Sequence, residues 1–163
     1  MRTSLLVLFI IALSGCATAY QPKGFSGGYS ETQLGENIFK VYFRGNGYTS
    51  PERASDFSLL RSAELMMENG FRYFIIVESE KDTKVGTYTT PSTSHTSGSV
   101  YSSGNYAYGS ATTTTSGGQT YVFSKPTATN TLYGFNEKPE VNGLVYDAQF
   151  VTKSIKQKYQ IGN

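Results

Sequence analysis

Gly45-x-Gly47-x-x-Ser50 lies between an apolar strand and a helix start, where a glycine-rich turn could cradle a phosphate. A dinucleotide fingerprint requires more than these two glycines. Ser50 stands where a third glycine lets helix and strand approach, and Pro51 removes one of the N–H groups that would point at the anion. An acidic residue should end the second strand about 20 residues on, but the nearest candidate there, Glu78, comes about 30 residues on. The spacing predicts a chain reversal. His95 is the sole histidine and falls in a Ser/Thr/Gly-rich stretch that offers no base-and-orienter pair. Glu52 and Asp56, four apart, have the spacing of a carboxylate pair, but a solvated helix start accounts for them. Ser-x-x-Lys does not occur, and the Gly-x-Ser-x-Gly match, Gly24 to Gly28, lies in a Gly/Ser-rich stretch without a sustained period. These readings point away from an enzyme. Arg44, Tyr48 and Arg53 flank the turn and form a candidate site for an anionic wall polymer.

Cys16 is the residue with the clearest chemistry. Met1-Arg2 opens the chain, Leu5 to Leu13 is uninterruptedly apolar, and Leu13-Ser14-Gly15-Cys16 follows. Nine or so apolar residues fall short of the roughly 20 that cross a bilayer but suit a secretory signal. The motif resembles the bacterial lipobox, whose cysteine becomes the lipidated first residue of the mature chain. The resemblance implies a signal peptide over 1–15 and a diacylglycerol and N-acyl lipid on Cys16, with no other cofactor. Several acyl chains give stable anchoring where one gives only marginal binding. Ala17 stands where inner-membrane retention usually has Asp, so the expected location is the outer membrane, on its periplasmic face rather than the cell surface. No second cysteine exists for a disulfide or a zinc site.

The elements that must position these residues follow from pattern. Residues 16–36 are rich in Gly, Ser and Pro without a sustained period, which predicts a lipidated tether, the alternative being that Tyr20, Phe25 and Tyr29 pin it against the domain. Ile38 to Phe43 alternates, with Phe39, Val41 and Phe43 on one face. Ser50 is a good N-cap, with Pro51 at the first helical position and an apolar face from Phe57 to Met67, closed by Asn69-Gly70. Phe71 to Val77 reads as a strand apolar on both faces, so strand, helix and strand predict a βαβ unit with parallel strands. From Val85 to Ser124 there is no Asp, Glu, Lys or Arg, and about three quarters of the residues are Ser, Thr, Gly or Tyr. This predicts a hairpin insertion over about 84–125 with turns at Gly104-Asn105 and Gly117-Gly118 and a mobile tip over about 92–116. Asn130 to Phe135 reads as a further strand, and Ala148, Val151, Ile155 and Tyr159 predict a final helix behind the N-cap Asp147.

The formal net charge of +2 gives no electrostatic case for nucleic acid. The expected fold is α+β: residues 37–163 as one small domain, a mixed sheet covered by a long helix and a C-terminal helix, with a protruding hairpin. The stretches "GGYSETQL", "FRGNGYTSPERASDF" and "LLRSAELMMENGFRYFIIVE" resemble an uncharacterised family of proteobacterial envelope lipoproteins. That resemblance implies a membrane-anchored envelope protein and carries no activity with it. The expected role is a structural or protein-interaction component meeting an envelope protein through the hairpin. The alternative is a module binding peptidoglycan or another cell-wall glycan through Arg44, Tyr48 and Arg53.

Overall fold

The computed structural model describes residues 17–162; Cys16 and the apolar run before it lie outside the described residues. The chain divides into two compact units, residues up to Lys84 together with those from Ser124 onward, and Val85–Phe123.

The first unit is an α+β layer pair. Strands β1 (Gly28–Gln33), β2 (Ile38–Arg44), β3 (Tyr73–Thr89), β6 (Thr120–Phe135) and β7 (Tyr146–Asp147) make a sheet in the order β1-β2-β6-β3-β7. Helices α1 (Pro51–Glu68) and α2 (Ala148–Tyr159) accompany it. Phe39 and Val41 pack against Leu60, Met66, Leu132, Val151 and Ile155, and a second cluster joins Phe43, Ala54, Phe57 and Ala128. Ser50 accepts from the Arg53 N–H at 3.1 Å, and Gly70, at φ 82, ends α1 in a conformation that a β-carbon disfavours. Asp147 likewise accepts from the Phe150 N–H at 3.0 Å.

The expected βαβ unit is split. β2 and β3 are not neighbours, because β6 lies between them. β2 pairs antiparallel with β6, and the contacts Arg72–Phe135, Glu78–Thr131 and Ser79–Asn130 run in opposite order along β3 and β6. β2 and β3 therefore share a direction without sharing hydrogen bonds, and the one parallel link outside the ladders, among the described residues, is the Pro22–Tyr29 bridge. Along β3, Phe74 is buried and Ile76 packs on the core. Of the apolar residues Phe71 to Val77 only Val77 is exposed, while Tyr73 and Ile75, on the alternate positions to Phe74 and Ile76, are half-buried.

Residues 17–36 are not a free tether. β1 pairs with β2 from Gly28↔Arg44 to Gln33↔Phe39, Thr18 is buried, and Tyr20 sits 4.9 Å from Tyr29 and 5.4 Å from Phe57 between ring centroids. The isolated aromatics of a polar segment supply enough buried area to dock it.

The second unit is a hairpin of β4 (Thr93–Ser103) and β5 (Tyr106–Ser116), bounded by the ends of β3 and β6. The segment expected as a mobile tip is a continuous antiparallel ladder from Thr93↔Ser116 to Ser103↔Tyr106. Gly104 (φ 64) makes its turn, and Gly117 and Gly118 (φ 92 and 72) make the next. Hydroxyl pairs reinforce it, with Ser94–Thr115 at 2.9 Å and Thr96–Thr113 at 2.8 Å. The register places Tyr101, Tyr106 and Tyr108 on one face, and Gly98, Val100, Ala107, Gly109 and Ala111 on the other. Every residue of both strands is exposed.

Candidate functional site

The turn after β2 is held by its own hydrogen bonds. The Gly45 N–H donates to the Pro126 carbonyl at 2.8 Å, and the Asn46 N–H donates to Thr18 Oγ1 at 2.8 Å. The Tyr48 N–H donates to Asn46 Oδ1 at 3.0 Å, and the Thr49 N–H to the Asn46 carbonyl at 3.1 Å. Donors already taken by protein acceptors are poorly placed to hold a phosphate, so the turn's geometry is that of a chain reversal.

Arg44, Tyr48 and Arg53 are not brought together. Phe43 points into the core, so its neighbour Arg44 projects from the opposite face of the sheet. Arg53 belongs to the helix layer, where its guanidinium lies 5.0 Å from the Phe57 ring and 5.3 Å from that of Tyr159. Tyr48 stands 76% exposed. Glu52 and Asp56 have a structural task that their sequence positions did not reveal. Lys158 Nζ reaches Glu52 Oε1 and, at 2.8 Å, Asp56 Oδ2, which also accepts from the Tyr159 hydroxyl at 2.8 Å. Those bonds, first to Asp56 and then to Glu52, hold the Lys158 ammonium above its ordinary pKa. The pair thus clasps the start of α1 to the end of α2. His95 lies exposed on β4 opposite Thr114. Among the described residues no His, Cys, Asp or Glu cluster could hold a metal ion.

A second polar network fixes the N-terminal segment. Arg61, on α1, meets Glu31 of β1 at 2.9 Å and Glu68 at 2.7 Å, with its guanidinium 4.9 Å from the Tyr29 ring. The Tyr20 hydroxyl donates to Glu64, which also pairs with Lys156 at 2.8 Å. Burial, reinforced by the bond to Glu64, pushes the Tyr20 phenol well above its ordinary pKa.

Sequence reasoning missed a concentration of positive charge. A hollow of about 330 Å³ is lined by Arg44, Lys84 and Lys125, together with Phe25, Ser26 and Asn46. Among the described residues no carboxylate lines it. An adjoining hollow shares Arg44 and adds Lys23. These cations come from β2, β3, β6 and the N-terminal segment, separations that no local motif connects. The alternation placing Arg44 opposite Phe43 was the only available signal. Among the described residues no helix is long and apolar enough to cross a membrane. No protein-family model, curated protein or solved structure matches the chain.

Proposed function

We propose that this protein is a non-catalytic interaction component of the bacterial envelope, anchored to the outer membrane through acylated Cys16, with the Val85–Phe123 hairpin as its partner-binding element. One observation carries the reading: two paired eleven-residue strands, β4 and β5, with every residue exposed. A lone two-stranded hairpin is marginal in water, and long uncharged edges are normally blunted by Lys, Pro or a bulge. Here the only ionisable side chains in the two strands are His95 and tyrosines. Such edges suit an added strand, with backbone hydrogen bonds providing affinity and Tyr101, Tyr106 and Tyr108 providing side-chain contacts. The lipobox-like sequence supports the anchor. The wall-glycan alternative has less support, since its residues Arg44 and Arg53 belong to opposite layers.

Deletion of residues 92–116 tests the reading. The two ends to be joined already touch: Thr90 N–H donates to the Gln119 carbonyl at 2.9 Å, and Gly118 N–H to the Thr90 carbonyl at 3.2 Å. The shortened protein is expected to keep its fold and membrane fractionation while losing its crosslinked partner in intact cells. An unchanged crosslinking pattern would refute the role given to the hairpin. Unchanged processing and membrane fractionation after Cys16→Ser would refute the anchor.

A further inference from the structure

The hollow beneath the N-terminal segment combines three features. Its wall is cationic, and neither Arg44 nor Lys84 has an ion-pair partner among the described residues. Phe25 lines it at 112% relative exposure, at the tip of a tight turn closed by the Gly24 N–H on the Gly27 carbonyl at 2.9 Å and the reverse bond at 3.3 Å. That turn is seated firmly: Gly27 has φ 105, and a β-carbon there would lie 2.2 Å from the Arg44 carbonyl oxygen. A phenylalanine held in water beside Arg44 and Lys84 is unexplained by packing.

The third feature is where the chain leads. Thr18 is pinned to the rim of the same hollow. Its hydroxyl donates to the Ser26 carbonyl at 2.9 Å and accepts from the Asn46 N–H at 2.8 Å, and its own N–H donates to Thr49 Oγ1 at 3.0 Å. Ser26 and Asn46 both line the hollow. Cys16 precedes Thr18 by two residues, and two extended residues span at most about 7 Å. Lipid on that sulfur would enter the bilayer beside Arg44, Lys84 and Phe25.

We infer that this surface docks the first unit directly on a bilayer containing anionic phospholipid, with Arg44, Lys84, Lys125 and Lys23 against headgroup phosphates and Phe25 in the headgroup–acyl boundary. The inference rests on acylation of Cys16, which brings the surface to the membrane. Acyl chain, basic cluster and interfacial aromatic are the combination that converts a membrane attachment into a defined orientation. With residues 17–36 packed into the fold, the attachment has no long linker in which to lose that orientation.

The absence of tryptophan from the chain supplies the experiment. The full-length Phe25→Trp protein, carrying its anchor, is reconstituted in phosphatidylcholine vesicles with and without phosphatidylglycerol. The indole introduced at position 25 is expected to shift its emission to the blue, and to be quenched by brominated acyl chains, when phosphatidylglycerol is present. A second reporter, Phe150→Trp, sits at the start of α2 beside Asp147, the partner of Tyr73. Tyr73 is separated from Lys84 by roughly 35 Å of strand, so this reporter is expected to stay unquenched. Equal quenching of the two reporters, or none of the Phe25→Trp protein, would overturn the inference. Arg44→Gln with Lys84→Gln should reduce binding of unacylated full-length chain to phosphatidylglycerol vesicles by roughly 25-fold, a factor of about five for each cation. An unchanged affinity would also overturn it, as would saturation of the hollow by inorganic phosphate without lipid contact at position 25. The mass of the Cys16-containing peptide separates the two readings. An unmodified cysteine refutes the anchor, while the unacylated chain's binding still decides the docking surface.

Discussion

Replacing Arg61 with methionine is expected to destabilise the first unit by about 2–3 kcal/mol. Arg61 is 8% exposed and bonds Glu68 at 2.7 Å and 2.9 Å and Glu31 at 2.9 Å, while stacking on Tyr29. Removing one member of a buried ion pair costs about 3–5 kcal/mol when its partner is stranded without water. Here the stranding is incomplete. The Glu31 and Glu68 side chains are 33% and 54% exposed and can rehydrate, which draws the effect down towards about 2 kcal/mol. Glu64 is more buried, yet it keeps Lys156 and Tyr20. Losing the cation over Tyr29 adds roughly 0.5–1 kcal/mol. The methionine preserves most of the aliphatic packing, so a large loss would report the charge network. Urea unfolding followed by circular dichroism gives the measurement, with Glu68→Gln as the control expected to lose under about 1 kcal/mol. Because Glu31 is the carboxylate of β1 held by this arginine, amide exchange across Gly28–Gln33 should accelerate before global unfolding. An Arg61→Met protein within about 0.5 kcal/mol of the parent, or a Glu68→Gln loss equal to that of Arg61→Met, would refute the account.

Two further perturbations probe the same packing. The Tyr20 phenol has a raised pKa, so above its ordinary value of 10.0 the unfolded chain loses that proton first. Its contribution is therefore complete below pH 10 and falls as pH rises further. Tyr20→Phe should flatten the alkaline fall in stability, and an identical pH profile for the two proteins would contradict the assignment. Gly134→Ala would place a β-carbon 2.7 Å from Phe71 Cγ and 2.9 Å from Met66 Sδ. A loss of about 1–3 kcal/mol is expected from thermal unfolding, and a neutral result would mean that these neighbours yield freely.

The sequence alone specified what depends on neighbours along the chain. Ser50 and Pro51 start α1 and Gly70 ends it, Asp147 starts α2, and Gly104 turns the hairpin, because caps and turns are satisfied within four or five residues. The inward set Phe39, Val41 and Phe43 was equally legible, since alternation is a property of the strand itself. The identity of each strand's partner was not. β6 separates β2 from β3, and β1 recruits a polar segment through Tyr20 and Tyr29, because pairing and burial are decided by surfaces distant in sequence. Arg44 and Arg53 looked adjacent along the chain, yet the sheet turns one outward while the helix lays the other on Phe57 and Tyr159. Only the tertiary structure gathered Arg44, Lys84 and Lys125 around Phe25 and set Thr18 at their edge. A cluster drawn from three strands and a docked segment has no spacing to read, because its geometry exists only once the ladders have formed.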